Sequence, residues 1–185
     1  MTDDHVTDEE LLALARPEVD QFFLTAPDVL DSLVSAAGIR PTDHVLELGA
    51  GVGTVARHLP PSATLALVEI DDRLVPALKR NMPRAVVINY DGVLLLREQA
   101  LTCDVLLCNL PHSVTDRLVP ALPDIDFRTA VIAAGSLAAF EAVAGRLSYE
   151  VITVAGGDDF TPAQPVTSLF VRVERTDYVA GLSTE

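Results

Sequence analysis

The sequence predicts an α/β fold: a Rossmann-like sheet of seven strands, mostly parallel, with helices on both faces and the last strand antiparallel. Three observations carry this. Short apolar runs alternate with segments of helical spacing along most of the chain. The first run, residues 45–48, turns abruptly into Gly49-Ala50-Gly51-Val52-Gly53. The last two runs, 150–155 and 168–174, are joined by a Gly/Asp/Pro-rich loop with no helix. Apolar strands separated by helices pair in parallel through right-handed crossovers, since each helix covers a face of the sheet. Two strands with no helix between them pair antiparallel.

The elements follow in order. Residues 1–20 are acidic and form an expected N-terminal extension, with an amphipathic turn or two around Leu11, Leu12 and Leu14. Residues 21–185 then make a single domain. From Pro27 the spacing Val29-Leu30-Leu33-Val34-Ala37 is helical and Gly38 ends it. Next come a strand at 45–48, a helix at 54–59, a strand at 64–70, a helix at 72–82 and a strand at 85–89. Residues 94–100 fit helix or strand. A strand at 104–108, a helix at 113–122, a strand at 130–134 and a helix at 137–147 precede the closing pair.

Composition bounds the function. The 185 residues are 49% hydrophobic, enough for one proper core. No apolar run reaches the roughly 18 residues of a membrane span. The polar, acidic Thr2-Asp3-Asp4-His5 does not read as a secretory leader. Cys103 and Cys108 bracket one predicted strand, which suits two buried thiols and a reducing, cytoplasmic setting. The net charge is −14 and Lys79 is the only lysine. Nucleic-acid binders draw most of their affinity from Lys and Arg on phosphates, so this balance argues against a polyanionic partner. Lys79, Arg80 and Arg84 read as a solvated helix end.

The glycine turn carries the chemistry. Glycines tolerate positive φ and close backbone approach, so a ligand can lie against the main chain where the strand ends. About twenty residues on, a second apolar strand ends in Glu69-Ile70-Asp71, and an acid at that offset suits ribose hydroxyls. Together they mark a nucleotide-type cofactor site. Glu47 stands two residues ahead of the first glycine. Glu/Asp-x-Gly-x-Gly-x-Gly resembles the first motif of S-adenosylmethionine (SAM) enzymes, whereas dinucleotide enzymes place Gly-x-Gly-x-x-Gly there. SAM is the expected cofactor, and the fold is that of class I methyltransferases.

Three further motifs narrow the resemblance: Gln21-Phe22-Phe23-Leu24, then Asn109-Leu110-Pro111-His112, then Phe160-Thr161-Pro162-Ala163-Gln164-Pro165-Val166-Thr167-Ser168. In this order they resemble the rRNA adenine dimethyltransferase (KsgA/Erm) family, with its Gln-Asn-Phe-Leu, Asn-Leu-Pro-Tyr and Phe-x-Pro-x-Pro-x-Val-x-Ser. The likeness covers roughly residues 20–175, the family's catalytic domain. Phe22 stands where the family has Asn, and His112 where it has Tyr. Family members are typically basic and continue into a helical RNA-gripping domain, and this chain ends at Glu185.

The resemblance implies roles. Glu47, Gly49, Gly51 and Gly53 shape the turn facing the methionine end of SAM, and Glu69 takes both ribose hydroxyls, with Ile70 beside it. Asp91 matches the acid that reaches the adenine amine, with Gly92 next to it. Gln21 and Leu24 resemble a lid over the cofactor. Asn109 and the following backbone carbonyl orient the target amine, with Leu110 and Pro111 stiffening the loop. His112 and Phe160 are the expected aromatic pair around a flat acceptor. Imidazole titrates near neutrality, so His112 is also a candidate general base. Asp158 and Asp159 are candidates for attracting a cationic amine. His5, His44 and His58 read as surface residues, and no metal-ligand cluster stands out.

The charge and the missing helical domain turn the expectation toward a small molecule: N- or C-methylation of a planar, nitrogen-containing aromatic, as in specialised metabolism. Adenine-N6 methylation of rRNA, protein methylation and a non-catalytic SAM-binding module are the alternatives. A homodimer is an expected way to cover an exposed face.

Overall fold

The computed structural model describes residues 6–98 and 101–175. Thr2-Asp3-Asp4-His5, the stretch that does not read as a leader, and the end of the ambiguous 94–100 segment lie outside the described residues. The helices are α1 (Asp8–Leu14), α2 (Pro27–Ala37), α3 (Val75–Asn81), α4 (Gly92–Arg97), α5 (His112–Leu118) and α6 (Ala138–Glu141). The strands are β1 (Phe23–Leu24), β2 (His44–Leu48), β3 (Thr64–Glu69), β4 (Val86–Asn89), β5 (Val105–Cys108), β6 (Thr129–Ala134), β7 (Leu147–Gly157), β8 (Phe160–Thr161) and β9 (Gln164–Arg175). None of the described helices is long and apolar enough to cross a membrane.

Seven strands form one sheet in the order β4-β3-β2-β5-β6-β9-β7. The first five are parallel. The last strand, β9, inserts between β6 and β7 and runs antiparallel to both, as the helix-free loop before it requires. A separate two-stranded ribbon pairs Phe23 with Thr161 and Leu24 with Phe160.

Burial follows the strand period of two. On one face Leu46, Leu106 and Ile132 pack with Leu95, Leu118 and Phe127 from the α4 and α5 layer. On the other, Val45, Leu107 and Val131 pack with Val29, Leu30 and Leu33 of α2. Gly38 ends α2 in a left-handed conformation, φ +54°, as its position predicts. α1 lays the buried Leu11 against Phe23, Val52 and Leu74, so this part of the acidic segment is packed onto the body of the fold.

Four predicted helices come out shorter, the one at 72–82 keeping only Val75–Asn81. Only a single 3-10 turn, Ala56–His58, occupies 54–59. Pro60 and Pro61 follow at once, and a residue before proline is pushed out of the helical region. α5 gives way at Val119 to a 3-10 segment containing Pro120 and Pro123, which lack the N–H an α-helix needs. The 137–147 helix keeps one turn, because Leu147 already pairs with Arg175 in the sheet. The ambiguous 94–100 segment begins as helix, since Asp91 caps α4 through the N–H groups of Val93 and Leu94.

Candidate active site

The glycine turn leaves β2 at the point where the sheet order reverses direction, with β3 on one side and β5 on the other. Crevices of open α/β sheets form there, beyond the carboxyl ends of the strands. Gly49, Gly51 and Gly53 all have positive φ, at 69°, 57° and 89°. Gly49 shows why: a Cβ on it would lie 2.5 Å from Leu110 Cδ2 and 3.4 Å from the Asn109 carbonyl oxygen. The bare backbone lets the loop after β5 close onto the turn after β2.

A cavity of about 450 Å³ opens at this junction, walled by Gln21, Glu47, Gly51, Glu69 and Asn109 among others. Glu69, at the end of β3, is 5% exposed. Its carboxylate accepts the Gly51 N–H at 2.7 Å and the Asp71 N–H at 2.8 Å. Burial raises its pKa, while those N–H groups pull the other way. Glu47, 2% exposed in the middle of the sheet, is pushed up to about 8 by desolvation and by the nearby Glu69 charge. Gln21 donates to Asp71 Oδ2 at 3.2 Å. Glu47 Oε2 and Gln21 Oε1 are buried with no hydrogen-bond partner.

Two cavities of about 250 Å³ flank the first. One is lined by Ile70, Tyr90, Asp91 and Gly92, and it shares Gly49, Leu110 and Pro111 with the central cavity. The other is lined by His112, Gln164, Val166 and Ser168, and it shares Phe22, Asn109, Leu110 and Pro111. Asn109-Leu110-Pro111 is therefore the wall between cofactor and acceptor spaces. Three of the cavities thus gather most residues singled out in the sequence: Gln21, Glu47, Gly49, Gly51, Glu69, Ile70, Asp91, Gly92, Asn109, Leu110, Pro111 and His112.

Several placements differ from expectation. Leu24 is fully buried with Val29 and Leu33 and lines none of the three cavities, because neighbouring strand residues alternate sides and Phe23 takes the cofactor side. Phe160, 3% exposed, sits in that same core cluster, paired with Leu24. It does not face His112 across the acceptor cavity. Gly53 turns toward Met82 and Leu78 of the α3 side rather than into the cavity. His112 Nε2 is bonded to Ser168 Oγ at 2.8 Å, and a Cβ on Gly135 would fall 2.7 Å from its Nδ1, so the imidazole is held by its edge in the wall of the acceptor cavity. Asp159 is spent on its own turn, accepting from the Gly156 N–H, and neither it nor Asp158 lines these cavities. Sequence reasoning missed Phe22, Phe23 and Asp71 as cavity walls. The signals were adjacency to Gln21 and the two-residue step from Glu69.

The donor set fits SAM. A buried carboxylate at the end of the second strand suits ribose hydroxyls, and two unpaired acceptors at Glu47 and Gln21 suit an ammonium group. Fold and site together are those of the class I methyltransferase fold, with a crevice that suits SAM. Residues 13–129 match the family model described as ribosomal RNA adenine dimethylase, and the chain belongs to that family.

Among curated relatives, the ribosomal RNA small subunit methyltransferase A of Dehalococcoides mccartyi is 34% identical over 112 residues, covering 57% of this chain and 38% of the relative. That of Lactiplantibacillus plantarum is 28% identical over 160 residues, covering 76% and 52%. The chain thus spans about half or less of their length. Among solved structures, a dimethyladenosine transferase from Plasmodium falciparum superposes with TM-score 0.71 at 21% identity, covering 83% of this chain and 63% of that one. The 23S rRNA methyltransferase ErmE gives TM-score 0.72 at 20% identity, covering 86% and 72%. These likenesses share the fold.

The family match overturns the expected small aromatic acceptor and the exclusion of nucleic acid. Net charge describes the far field of the whole surface. It does not describe which groups line a cleft, and the inference drawn from it was too broad.

Proposed function

We propose that this chain transfers the methyl group of SAM to the exocyclic N6 amine of an adenine in ribosomal RNA. The supporting observation is the placement of Asn109-Leu110-Pro111, inside the matched stretch, on the wall between the cofactor and acceptor cavities. SAM supplies a methyl group already activated on a sulfonium. The protein's share is therefore positioning, which accounts for much of the rate in such transfers.

The Asn109 side-chain oxygen and the Leu110 carbonyl accept the two amine hydrogens and turn the nitrogen lone pair toward the cofactor cavity. Pro111 offers no N–H to compete and fixes the loop. Glu69, already held by two backbone N–H groups, takes the ribose and sets how deep the cofactor lies. Arg97 and Arg117 line the cavity that Leu110 and Pro111 also wall, and Arg97 bonds the Arg117 carbonyl at 3.3 Å. They give an acidic chain a local cationic rim beside the site, where RNA phosphates need one.

The test is transfer of labelled methyl from SAM to rRNA lacking the modification, followed by digestion to nucleosides. Label in methylated adenosine, lost on Asn109→Ala with SAM binding intact, is the expected result. No label in RNA from protein that binds SAM at low salt overturns the proposal.

A further inference from the structure

Among the described residues, the aromatic side chains near the acceptor cavity differ in how they are held. Phe160 is withdrawn into the core, 3% exposed, in the apolar cluster against which Phe22 packs. Phe23, 4% exposed, faces the glycine turn, its ring 3.1 Å from where a Gly51 Cβ would stand. His112 is fixed at its edge. Ser168 Oγ sits 2.8 Å from its Nε2, and a Cβ on Gly135 would fall 2.7 Å from its Nδ1.

Gln164 completes that lock. Its amide nitrogen donates to the Val166 carbonyl at 2.7 Å and to Ser168 Oγ at 2.8 Å. A carbonyl only accepts, so the amide orientation is settled, and Ser168 is held against the imidazole. The motif pattern Phe-x-Pro-x-Pro-x-Val-x-Ser has its second proline where this chain has Gln164. The wall holding the imidazole is thus made by a side chain that departs from that pattern.

Phe22 remains. It is partly buried, its neighbours in the cluster back it, and among the described residues it is the only aromatic lining both the cofactor and the acceptor cavities. Asn109 lines the same two cavities.

We propose that Phe22 is the stacking platform for the acceptor base in this chain, with His112 a fixed wall of the cavity and Phe160 a core residue. This rests on the adenine-in-RNA reading above. Stacking on an aromatic is sequence-tolerant and is lost when the ring is removed, even where volume is kept.

The experiment compares full-length wild type, Phe22→Leu, Phe22→Tyr and Phe160→Leu. It measures KM for unmodified rRNA in the labelled-methyl assay, calorimetric affinity for S-adenosylhomocysteine, and the melting temperature. Phe22→Leu is expected to raise the rRNA KM about tenfold or more, as losing one base–aromatic stack does. Its S-adenosylhomocysteine affinity stays within about threefold, and Phe22→Tyr restores the KM. Phe160→Leu is expected to lower the melting temperature and leave the rRNA KM within about twofold.

An unchanged KM in Phe22→Leu overturns the inference, as does a KM rise confined to Phe160→Leu. A Phe22→Leu defect that falls wholly on S-adenosylhomocysteine binding also overturns it. Wild type that methylates no RNA removes the underlying reading itself, a result separable from the others because it appears before any substitution.

Discussion

Glu47→Gln should change how stability depends on pH. Glu47 lies in the centre of the sheet, flanked in register by Leu67 and Leu107, and its carboxyl is pushed from an ordinary value of 4.5 up to about 8 by burial and by the Glu69 charge. The folded protein keeps a proton there that the unfolded chain releases. The stability this contributes is fully present below pH 4.5, and it is lost as pH rises toward 8. Each pH unit inside that window costs about 1.4 kcal/mol. Between pH 5.5 and 7.5 the loss from this one group is therefore about 2 to 3 kcal/mol.

Glutamine keeps the shape and cannot ionise, so the loss disappears. The assay is urea unfolding of the cofactor-free protein at pH 5.5, 6.5, 7.5 and 8.5, wild type against Glu47→Gln. Glu69 is raised too and adds its own slope to both proteins, so the difference between the curves reports Glu47 together with its coupling to Glu69. The variant should gain on wild type with rising pH and level off above 8. Parallel curves, within about 0.5 kcal/mol across the range, would show that Glu47 does not titrate in this window.

Three further outcomes follow from the geometry. Glu69→Gln removes the charged acceptor at the end of β3, and S-adenosylhomocysteine affinity by calorimetry should fall about 100-fold; a change under threefold would refute the ribose role. Gly49→Ala places a Cβ 2.5 Å from Leu110 at φ +69°, so the melting temperature should drop by several degrees and kcat should fall as the Asn109 loop is displaced. Asp43→Asn breaks the pair with Arg128, 2.6 Å long with side chains 6% and 15% exposed. Urea unfolding should show a loss of about 3 kcal/mol or more, because a buried guanidinium is left unmatched.

The parallel sheet was legible because its strands are apolar on both faces, as at 105–108, where every residue is buried. The cofactor turn was legible because glycines and an acid at fixed offset have few other uses. Helix lengths were not, because local spacing at 54–59 and 137–147 competes with prolines and with strand pairing that arrives from far along the chain. The burial of Phe160 was not legible for the same reason. Its motif is local, but its burial depends on pairing with Leu24. The substrate class was misjudged by weighing total charge above three ordered motifs.

The ribbon of β1 and β8 also bears on how the protein is made. Thr25 and Thr161 meet across it with their hydroxyls 3.3 Å apart, 136 positions apart in sequence. Phe23, which walls the cofactor cavity, and Leu24 leave the ribosome early and have no strand partner until Phe160 and Thr161 emerge. Closing so long a loop carries an entropic cost that only the assembled core offsets. During synthesis, this wall of the crevice is therefore completed late, after the glycine turn, Glu69 and the Asn109 loop have already been made.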